Sequence, residues 1–491
     1  MNKSLKTRTA GSLKWNLIDR FSTQILYAVT GIVLARLLSQ EDFGLVGAVL
    51  VFQAFASLLI DSGFSYALLQ KQRPTRLDYS SVLWFNLGVA ALLYLILFAA
   101  APLVAWCFGG DPRLVPLARV MFLSLLLNAA IIVQTNRLTK AMEVRPVAMA
   151  NMAGLTVGGF VGIWLAVKGA GAWALVWQTL TMGAVKAILL WTATRWRPLW
   201  TISWQSLRTF RSIGWKMMFT SFLNTLFQYI YSFLVGNRLG MVPLGYYTQA
   251  DKWSKMGVSS LSQVLTSTFV PALSAVQDQP DRFRAICSKL GRLTAYLLFP
   301  AMLGLIVMAT PIFHTLFGTK WDPSIILFRL LLLRGIFTVL TSLYNNYLLA
   351  LGHARIIVRL EVVRDVAALV AIALTIPYMV LTRPDDIVYG IVILLIGQVA
   401  ASAIAWLLSL ILTARATGLR PLRMLADLAP YLGLSLVALP LMHFTAASFA
   451  AAWLQLAVEI TVGLIFYLGV NRLLGSRIQE QAFSYLRSRF N

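Results

Sequence analysis

VLWFNLGVAALLYLILFAAAPLVAWC, residues 82–107, is a run of 26 residues that contains no Asp, Glu, Lys or Arg. A helix needs about 20 apolar residues to cross a bilayer, because hydrocarbon offers no hydrogen-bond partner to exposed backbone groups. A membrane barrel would show alternating segments of about ten residues instead, and the chain has no such alternation. The stretch therefore predicts a membrane-spanning helix.

The same apolar character recurs along the 491 residues and leaves no room for a soluble domain. Only 12% of the residues are charged, against roughly 25% in soluble domains. The predicted fold class is therefore an all-α polytopic membrane protein with 14 transmembrane helices. The predicted spans are 13–37, 43–68, 82–107, 115–139, 147–168, 171–193, 214–238, 251–276, 291–315, 325–351, 360–382, 387–413, 428–448 and 451–474.

The basic residues predict the orientation of these spans. If the chain starts in the cytoplasm and alternates, 29 of its 42 Lys and Arg residues fall on the cytoplasmic side, as the positive-inside rule requires. Both termini are then cytoplasmic. The rule also explains the net charge of +24 without nucleic acid as a partner. Residues 1–16 lack the short apolar core of a signal peptide, so we expect no cleavage.

No metal or cofactor site is predicted. Cys107 and Cys287 fall on opposite sides of the membrane in this topology, so they cannot pair with each other. The spacing of these two residues and of His314, His353 and His443 matches no metal-ligand pattern.

An internal repeat is visible in the order of several short matches. They are Ala35-Arg36-Leu37 with Asn237-Arg238-Leu239, Phe43-Gly44 with Leu244-Gly245, Pro102 with Pro311, Phe108-Gly109 with Phe317-Gly318, Arg119 with Arg329, Asn136 with Asn345, and Gln178 with Gln398. Each match is weak alone, and their common order indicates that helices 1–6 and 7–12 are copies. Because each copy has an even number of helices, the copies are parallel repeats about an axis along the membrane normal.

The repeat divides the chain into two pseudo-symmetric six-helix lobes and two C-terminal helices. The predicted N-lobe is 1–193, the cytoplasmic linker is 194–213, the C-lobe is 214–427, and 428–491 holds helices 13 and 14 and a cytoplasmic tail. Two such lobes predict a central cleft and alternating access by rocking. The linker carries Trp196, Trp200 and Trp204 among arginines, which is typical of a segment in the headgroup region; a plain surface linker is the alternative.

Basic residues inside the spans are the candidate substrate site, because each costs about 3 kcal/mol in the membrane and usually faces a cavity. Arg20 lies two turns into helix 1, and Arg334 lies near the middle of helix 10. Lys252 and Lys255 share a face at the predicted outer end of helix 8. We interpret these four as a cationic cleft for a phosphate or diphosphate headgroup.

Snorkelling to the interface is the competing interpretation of intramembrane cations. It is favoured for Arg119, Arg329 and Lys186, which lie nearer to the ends of the predicted spans.

The intramembrane acids allow several roles. Glu361 and Asp365 flank Arg364 at spacings that permit local ion pairs; coupling to a proton or cation is the alternative. Asp61 is expected either to pair with Arg20 or to cap a break in helix 2. Glu459, in helix 14, is a candidate proton site.

Several motifs resemble one family of transporters over essentially the whole chain. The motifs are Leu34-Ala35-Arg36-Leu37-Leu38 with Glu41-Asp42-Phe43-Gly44, Asp61-Ser62-Gly63-Phe64 with Ala67-Leu68-Leu69-Gln70, Trp173-Ala174-Leu175-Val176-Trp177-Gln178, Leu244-Gly245-Tyr246-Tyr247, and Gly318-Thr319-Lys320-Trp321. The chain resembles the Wzx-type polysaccharide flippases, in the colanic-acid exporter-like branch of the multidrug/oligosaccharidyl-lipid/polysaccharide (MOP) superfamily.

The resemblance implies a MOP/MATE-like fold and a flippase of the bacterial inner membrane. Its expected substrate is an undecaprenyl-diphosphate-linked oligosaccharide repeat unit of O-antigen, capsule or exopolysaccharide, moved from the cytoplasmic to the periplasmic leaflet. Coupling to H+ or Na+ is implied by some relatives, and the polysaccharide polymerase and assembly machinery are possible partners. The two extra helices resemble those of the fourteen-helix lipid II flippases.

Two other functions compete with this expectation. A MATE-like proton- or sodium-coupled multidrug antiporter should have an acid-lined cleft, whereas basic residues at least match the acids here. A membrane glycosyltransferase, polymerase or ligase needs catalytic residues on a sizeable outer loop, and the sequence shows none, so no enzyme is expected. No phosphate-cradling glycine loop ending in Gly-Lys-Ser/Thr occurs, which excludes an ATP-driven pump of that kind.

The predicted topology can be tested at residue 205, which lies in the cytoplasmic linker. In a variant without the native cysteines, Gln205→Cys is expected to react with a membrane-permeant maleimide and to stay unlabelled by an impermeant one outside the cell. Pro112→Cys, in a predicted outer loop, is the matched control and should react with both. Labelling of residue 205 from outside would refute the orientation.

Overall fold

The computed structural model describes residues 2–61, 63–194, 196–380 and 388–480. All regular structure within these ranges is helical, which fits a chain whose backbone groups must be satisfied inside each segment. In the predicted topology Asp385 and Asp386 fall in an outer loop, and Arg195, Arg487 and Arg489 fall on the cytoplasmic side. These five residues lie outside the described residues.

The helices follow one another with short connections. They are α1 (Asn2–Leu37), α2 (Gln40–Asp61), α3 (Phe64–Gln70), α4 (Arg76–Ala99), α5 (Ala101–Cys107), α6 (Leu114–Met121), α7 (Leu123–Lys140), α8 (Val144–Val167), α9 (Ala172–Thr194), α10 (Trp204–Leu239), α11 (Met241–Ser274), α12 (Pro280–Val307), α13 (Ala309–Leu316), α14 (Asp322–Ala350), α15 (Ala354–Val380), α16 (Tyr389–Thr417), α17 (Pro421–Ala446) and α18 (Ala452–Leu473). A short 3-10 turn, Thr319–Trp321, precedes α14.

Each predicted span overlies one helix or two consecutive helices. In the described part of the chain, eleven helical segments are long and apolar enough to cross a membrane, so the chain is an all-helical multi-pass membrane protein. The count of 14 transmembrane helices stays a prediction.

Four predicted spans are interrupted by short breaks that the apolar pattern does not reveal. Gly63 separates α2 from α3 with a left-handed φ of 69°. The other breaks lie at Ala100, Phe122 and Met308. Pro102 and Pro311 sit in the first turn after two of these breaks, where a missing N–H leaves a carbonyl of the preceding helix without its usual donor.

The chain forms two compact units, residues 1–245 and 246–491. In the first unit α8 packs between α1 and α9, and α7 packs on α4 and α9. Helix α10, which the repeat assigns to the C-lobe, packs on α2, α3 and α4 of this unit. The lobe boundaries predicted from the repeat remain a prediction, because packing and internal homology need not divide a chain at the same residue.

The second unit is built around α12, α14, α16 and α17. Helix α14 packs on α12 and α16, and α17 packs on α12 and α18. The short helix α13 lies against α14 and α18. Small and aromatic side chains fill the contacts; Tyr467 of α18, for example, donates a hydrogen bond to the Tyr296 carbonyl of α12 at 2.9 Å.

Two glycines that the repeat matches make reciprocal close contacts. A Cβ at Gly44 would overlap the carbonyl oxygen of Met241, and a Cβ at Gly245 would overlap the carbonyl oxygen of Gln40. The offset of 201 residues that relates Gly44 to Gly245 also relates Gln40 to Met241. Each segment therefore contacts the other in the same way, which is the pattern of a two-fold contact.

This contact predicts that alanine is poorly tolerated at either glycine. Gly44→Ala and Gly245→Ala should each destabilise the protein by about 1–3 kcal/mol, because the backbones must move apart to admit a methyl group. Thermal unfolding in detergent measures the loss. Gly88→Ala is the control, since a Cβ there meets open space. Unchanged melting of both test variants would contradict the close approach.

Candidate functional site

A polar stripe along α14 is the most distinct candidate site in the second unit. Arg334, Thr338, Thr341 and Asn345 are spaced by four, three and four residues, so they share one helix face. All four side chains are half-buried or exposed, whereas Leu332, Ile336, Val339 and Leu343 on the other side of the helix are buried. The stripe is thus the polar side of an otherwise apolar helix.

At each end of the stripe, a polar group has no hydrogen-bond partner among the described residues. Thr338 and Thr341 donate to the carbonyls of Arg334 and Phe337, at 3.1 and 2.8 Å. Among the described residues the Arg334 guanidinium has no hydrogen-bond or ion-pair partner, and the buried Oδ1 of Asn345 likewise has none. A charged group and a buried polar oxygen without partners are costly, and a polar ligand would satisfy both.

Helix α11 brings two of the predicted lysines to the same unit, three turns after its start at Met241. The prediction that Lys252 and Lys255 lie at a helix end was wrong, because α11 begins ten residues earlier than the predicted span. Lys255 Nζ lies 2.6 Å from Asp251 Oδ2, and Lys252 Nζ lies 5.4 Å from the ring centroid of Trp253. Asp251 therefore balances part of the positive charge on this face.

Helices α11 and α14 meet one turn after Lys255 and one residue after Arg334. Val258, one turn after Lys255, occupies the space that a side chain at Gly335 would need. Gly335 directly follows Arg334, so Arg334 and Lys255 lie on adjoining helices close to one contact point. The sequence suggested both residues but not their neighbourhood.

A second polar cluster joins α1, α8 and α9 in the first unit, where Arg20 also lies. Asn151 Nδ2 donates to both carboxylate oxygens of Asp19, at 3.2 and 3.1 Å. Lys186 on α9 is close enough to Asp19 for electrostatic interaction, and so it faces the interior of the unit rather than snorkelling from a helix end. The half-buried Arg20 has no side-chain partner among the described residues.

Asp61 caps the break between α2 and α3. Its Oδ1 accepts a hydrogen bond from the backbone N–H of Ser65 at 3.3 Å and a short one from the Ser65 hydroxyl. Ser65 Oγ in turn accepts from Asn136 Nδ2 of α7 at 2.6 Å. Of the two roles expected for Asp61, this geometry matches the cap; no pairing with Arg20 occurs within the described residues.

Arg119 and Arg329, matched by the repeat, occupy the same place in their two units. Arg119 Nε donates to the Phe98 carbonyl at 3.3 Å, the carbonyl that Pro102 leaves without a helical donor. Arg329 donates to the Ile306 carbonyl at 3.0 Å and to Thr310 Oγ1 at 3.1 Å, across the α12–α13 break. Both arginines were expected to snorkel, but both bind freed carbonyls at helix breaks.

Two further acid groups are accounted for within the second unit. Arg364 donates to Asp365 Oδ1 at 2.9 and 3.1 Å, and its Nη1 lies 3.7 Å from Glu361 Oε1, so these three form a local ion-pair cluster on α15. Glu459 of α18 is only 3% exposed. Its Oε2 has no hydrogen-bond partner in the described chain, and Arg329 is its electrostatic neighbour.

A cluster of charges connects the loop between α5 and α6 to the start of α2 in the first unit, on the predicted outer side. Arg113 donates to Asp111 Oδ2 at 2.7 Å and makes a short contact with Glu41. The hydrogen bond from Arg113 lowers the pKa of Asp111, and hydrogen bonds to Asp111 and then Glu41 raise the pKa of Arg113. The two acids therefore offset the charge of this arginine on the predicted outer side.

Comparison with known proteins places these features in a family. A family profile described as "Polysaccharide biosynthesis protein" matches residues 33–326, more than half of the chain. The succinoglycan biosynthesis transport protein ExoT of Rhizobium meliloti (strain 1021) is 26% identical over 374 residues, which cover 76% of this chain and 75% of that protein. The lipopolysaccharide biosynthesis protein WzxC of Escherichia coli (strain K12) is 24% identical over 377 residues, 76% of each chain.

Solved structures show the same fold at low sequence identity. The lipid II flippase MurJ, in an inward closed conformation, superposes with a TM-score of 0.71 at 15% identity, covering 94% of this chain and 99% of that one. An inward-facing MATE family multidrug transporter of the MOP superfamily gives a TM-score of 0.60 at 14% identity, covering 81% and 98%. These likenesses establish the fold, and the substrate must be argued from the site.

The contacts of Arg329 predict a coupled effect on stability. Arg329→Leu should cost about 1–3 kcal/mol for the carbonyl left without a donor, and more because Glu459 loses its neighbouring cation. Arg119→Leu removes the matched carbonyl contact but leaves no buried acid without its cation. This variant should therefore melt at a higher temperature than Arg329→Leu. Adding Glu459→Gln should recover part of the loss in Arg329→Leu. Equal melting of the two single variants would contradict the role of Glu459.

Proposed function

This chain belongs to the polysaccharide biosynthesis protein family, and we propose that it moves undecaprenyl-diphosphate-linked oligosaccharide repeat units from the cytoplasmic to the periplasmic leaflet of the bacterial inner membrane. The repeat units would belong to an O-antigen, capsule or exopolysaccharide. The chain acts as a transporter and carries out no chemistry on the sugar.

The state of the intramembrane charges carries this proposal. Most acids in the described spans have partners within their own unit: Asp19 with Asn151, Asp61 with Ser65, Asp251 with Lys255, and Glu361 and Asp365 with Arg364. Arg20 and Arg334 have no side-chain partners among the described residues. The charges left for a ligand are therefore cationic, and they suit an anionic headgroup.

Guanidinium groups fit a diphosphate by charge and by shape. An Arg side chain offers paired N–H donors that match two phosphate oxygens, and such charge-assisted bonds strengthen where water is excluded. Thr338, Thr341 and Asn345 extend the polar face of α14 by about 16 Å at 1.5 Å per residue, which suits hydroxyl-rich sugars. The headgroup would follow polar faces of this kind while the polyprenyl tail stays on apolar surfaces.

Alternating access between two pseudo-symmetric lobes is the proposed mechanism. The reciprocal contact of Gly44 and Gly245 and the matched roles of Arg119 and Arg329 support two lobes related by an internal two-fold axis. Lobes of this kind can rock about a fixed substrate site. Cytoplasmic termini, coupling to H+ or Na+ and cooperation with a polysaccharide polymerase belong to the same proposal.

The MATE-like multidrug antiporter is the second candidate, since the fold is shared. An antiporter of organic cations needs acids that are free to exchange a proton or ion for substrate. Among the described intramembrane acids, Glu459 and Asp251 each have an unpartnered oxygen, but Arg329 lies beside Glu459 and Lys255 pairs with Asp251. That arrangement favours the flippase over the antiporter.

Complementation of a flippase deletion tests the proposal, with lipid-linked repeat units counted in each leaflet. Arg334→Ala should slow transfer about ten- to a hundred-fold, because a charge-assisted hydrogen bond is worth about 1.5–3 kcal/mol. Arg334→Lys should retain part of the rate, since it keeps the charge without the paired donors.

Arg355→Ala, at the exposed start of α15, is the matched control and should transfer normally. Full transfer by a folded Arg334→Ala variant would remove Arg334 from the site. Repeat units that stayed cytoplasmic with the wild-type chain present, together with efflux of a cationic dye, would replace the flippase by the antiporter.

A further inference from the structure

An apolar groove in the first unit has a basic residue in its lining. It encloses about 750 Å³, within the range of ordinary ligand pockets. Its lining from α2 to α4 consists of Leu59, Phe64, Phe85, Val89, Leu92 and Leu93. Helix α10 contributes Trp204, Leu207, Arg208 and Met218. Among the described residues of this lining, Arg208 carries the charge.

The segment before α10 fixes the position of Arg208. The Leu199 carbonyl accepts from Trp84 Nε1 at 2.7 Å, and the Leu199 N–H donates to Ser80 Oγ at 2.9 Å. The Ser203 N–H donates to Ser81 Oγ at 2.8 Å, and Trp200 stacks on Trp84. Residues 199–203 of the predicted linker are thus attached to the start of α4. We call this segment the strap, and α10 begins directly after it.

The strap adjoins the part of the groove that α10 lines. Trp204 is 75% exposed at the rim, while Leu207 is buried against α3 and α4. Leu92, eight residues beyond Trp84 on α4, is 58% exposed, so the groove is open along its side. Arg208 and Met218, both in the lining, lie about 15 Å apart along α10 at 1.5 Å per residue.

We propose that this groove binds the hydrocarbon tail of the polyprenyl diphosphate carrier, with Arg208 on its phosphate. The inference rests on the proposed function and assigns a docking site for the carrier in the first unit. The occupant follows from charge complementarity: an apolar trough whose described lining carries one cation, Arg208, matches an amphiphile with one anionic end. Arg208 and the strap lie on the predicted cytoplasmic side, where the loaded carrier is made available.

Photolabelling of the full chain in phosphatidylcholine nanodiscs tests the site. The probe is a polyprenyl diphosphate with a diazirine in its tail, and adducts are mapped by mass spectrometry. Labels are expected within 59–64, 85–93 and at Met218. Adducts that lie elsewhere would overturn the proposal.

Two pairs of variants separate tail binding from headgroup binding. Leu93→Trp fills the groove and should reduce labelling at least ten-fold, whereas Leu95→Trp, an exposed residue of α4 outside the lining, should leave it unchanged. Arg208→Ala should weaken labelling by the diphosphate about ten-fold and leave labelling by the corresponding polyprenol unchanged. Equal effects on both probes would remove Arg208 from the site.

Competition and transport separate this inference from the function on which it rests. Phosphatidylglycerol at half of the nanodisc lipid should not displace the probe; full displacement would make the groove an ordinary lipid crevice and overturn the proposal. Loss of labelling in Leu93→Trp with normal transfer of repeat units would overturn the groove's role and leave the flippase intact. Mapped labelling of a wild-type chain that transfers no repeat units would refute the flippase and keep the binding site.

Discussion

Hydrocarbon provides no hydrogen-bond partners, and most of this structure follows from that constraint. Long helices satisfy their own backbone groups, and every break in a helix releases carbonyls or N–H groups that need another partner. Asp61 accepts from the Ser65 N–H at the break before α3, Arg119 donates to a carbonyl freed by Pro102, and Arg329 donates to the Ile306 carbonyl between α12 and α13. Some charged residues in the spans thus have a structural role. Their contacts distinguish them from the charged residues that are available to a ligand.

The internal repeat is expressed in the same terms. Arg119 and Arg329 reach freed carbonyls at corresponding breaks, although the accepting residue is shifted by one position relative to the proline. The backbone of Met241 approaches Gly44, and the backbone of Gln40 approaches Gly245, so closely that a side chain at either glycine would prevent the contact. Residues that look like weak sequence matches therefore hold matched structural positions, because the same local problem was solved in the same way in each copy.

What remains after these structural roles are removed is a short set of cations. Arg20 and Arg334 lack partners among the described residues, and Arg208 lines an apolar groove. Because most of the acids in the spans are already paired, the charged side chains that remain for a ligand are positive. An anionic amphiphile accounts for both kinds of site, since one part of it needs cations and polar side chains and the other needs only apolar surface.

The sequence by itself determined the solvent, the helical class, the approximate spans and the family resemblance, because these depend on the length and order of apolar residues and on short motifs. It also picked out Arg334, and the spacing to Thr338, Thr341 and Asn345 was readable in advance. Only the tertiary structure decided which charged side chains have partners within the protein. Lys186 faces Asp19, Lys255 pairs with Asp251, and Arg119 and Arg329 bind carbonyls rather than reach the interface. The attachment of the linker to α4 was likewise visible only in the structure. The reason is physical, since the role of a charge in a membrane depends on its partner, and partners distant in sequence meet only when the helices pack.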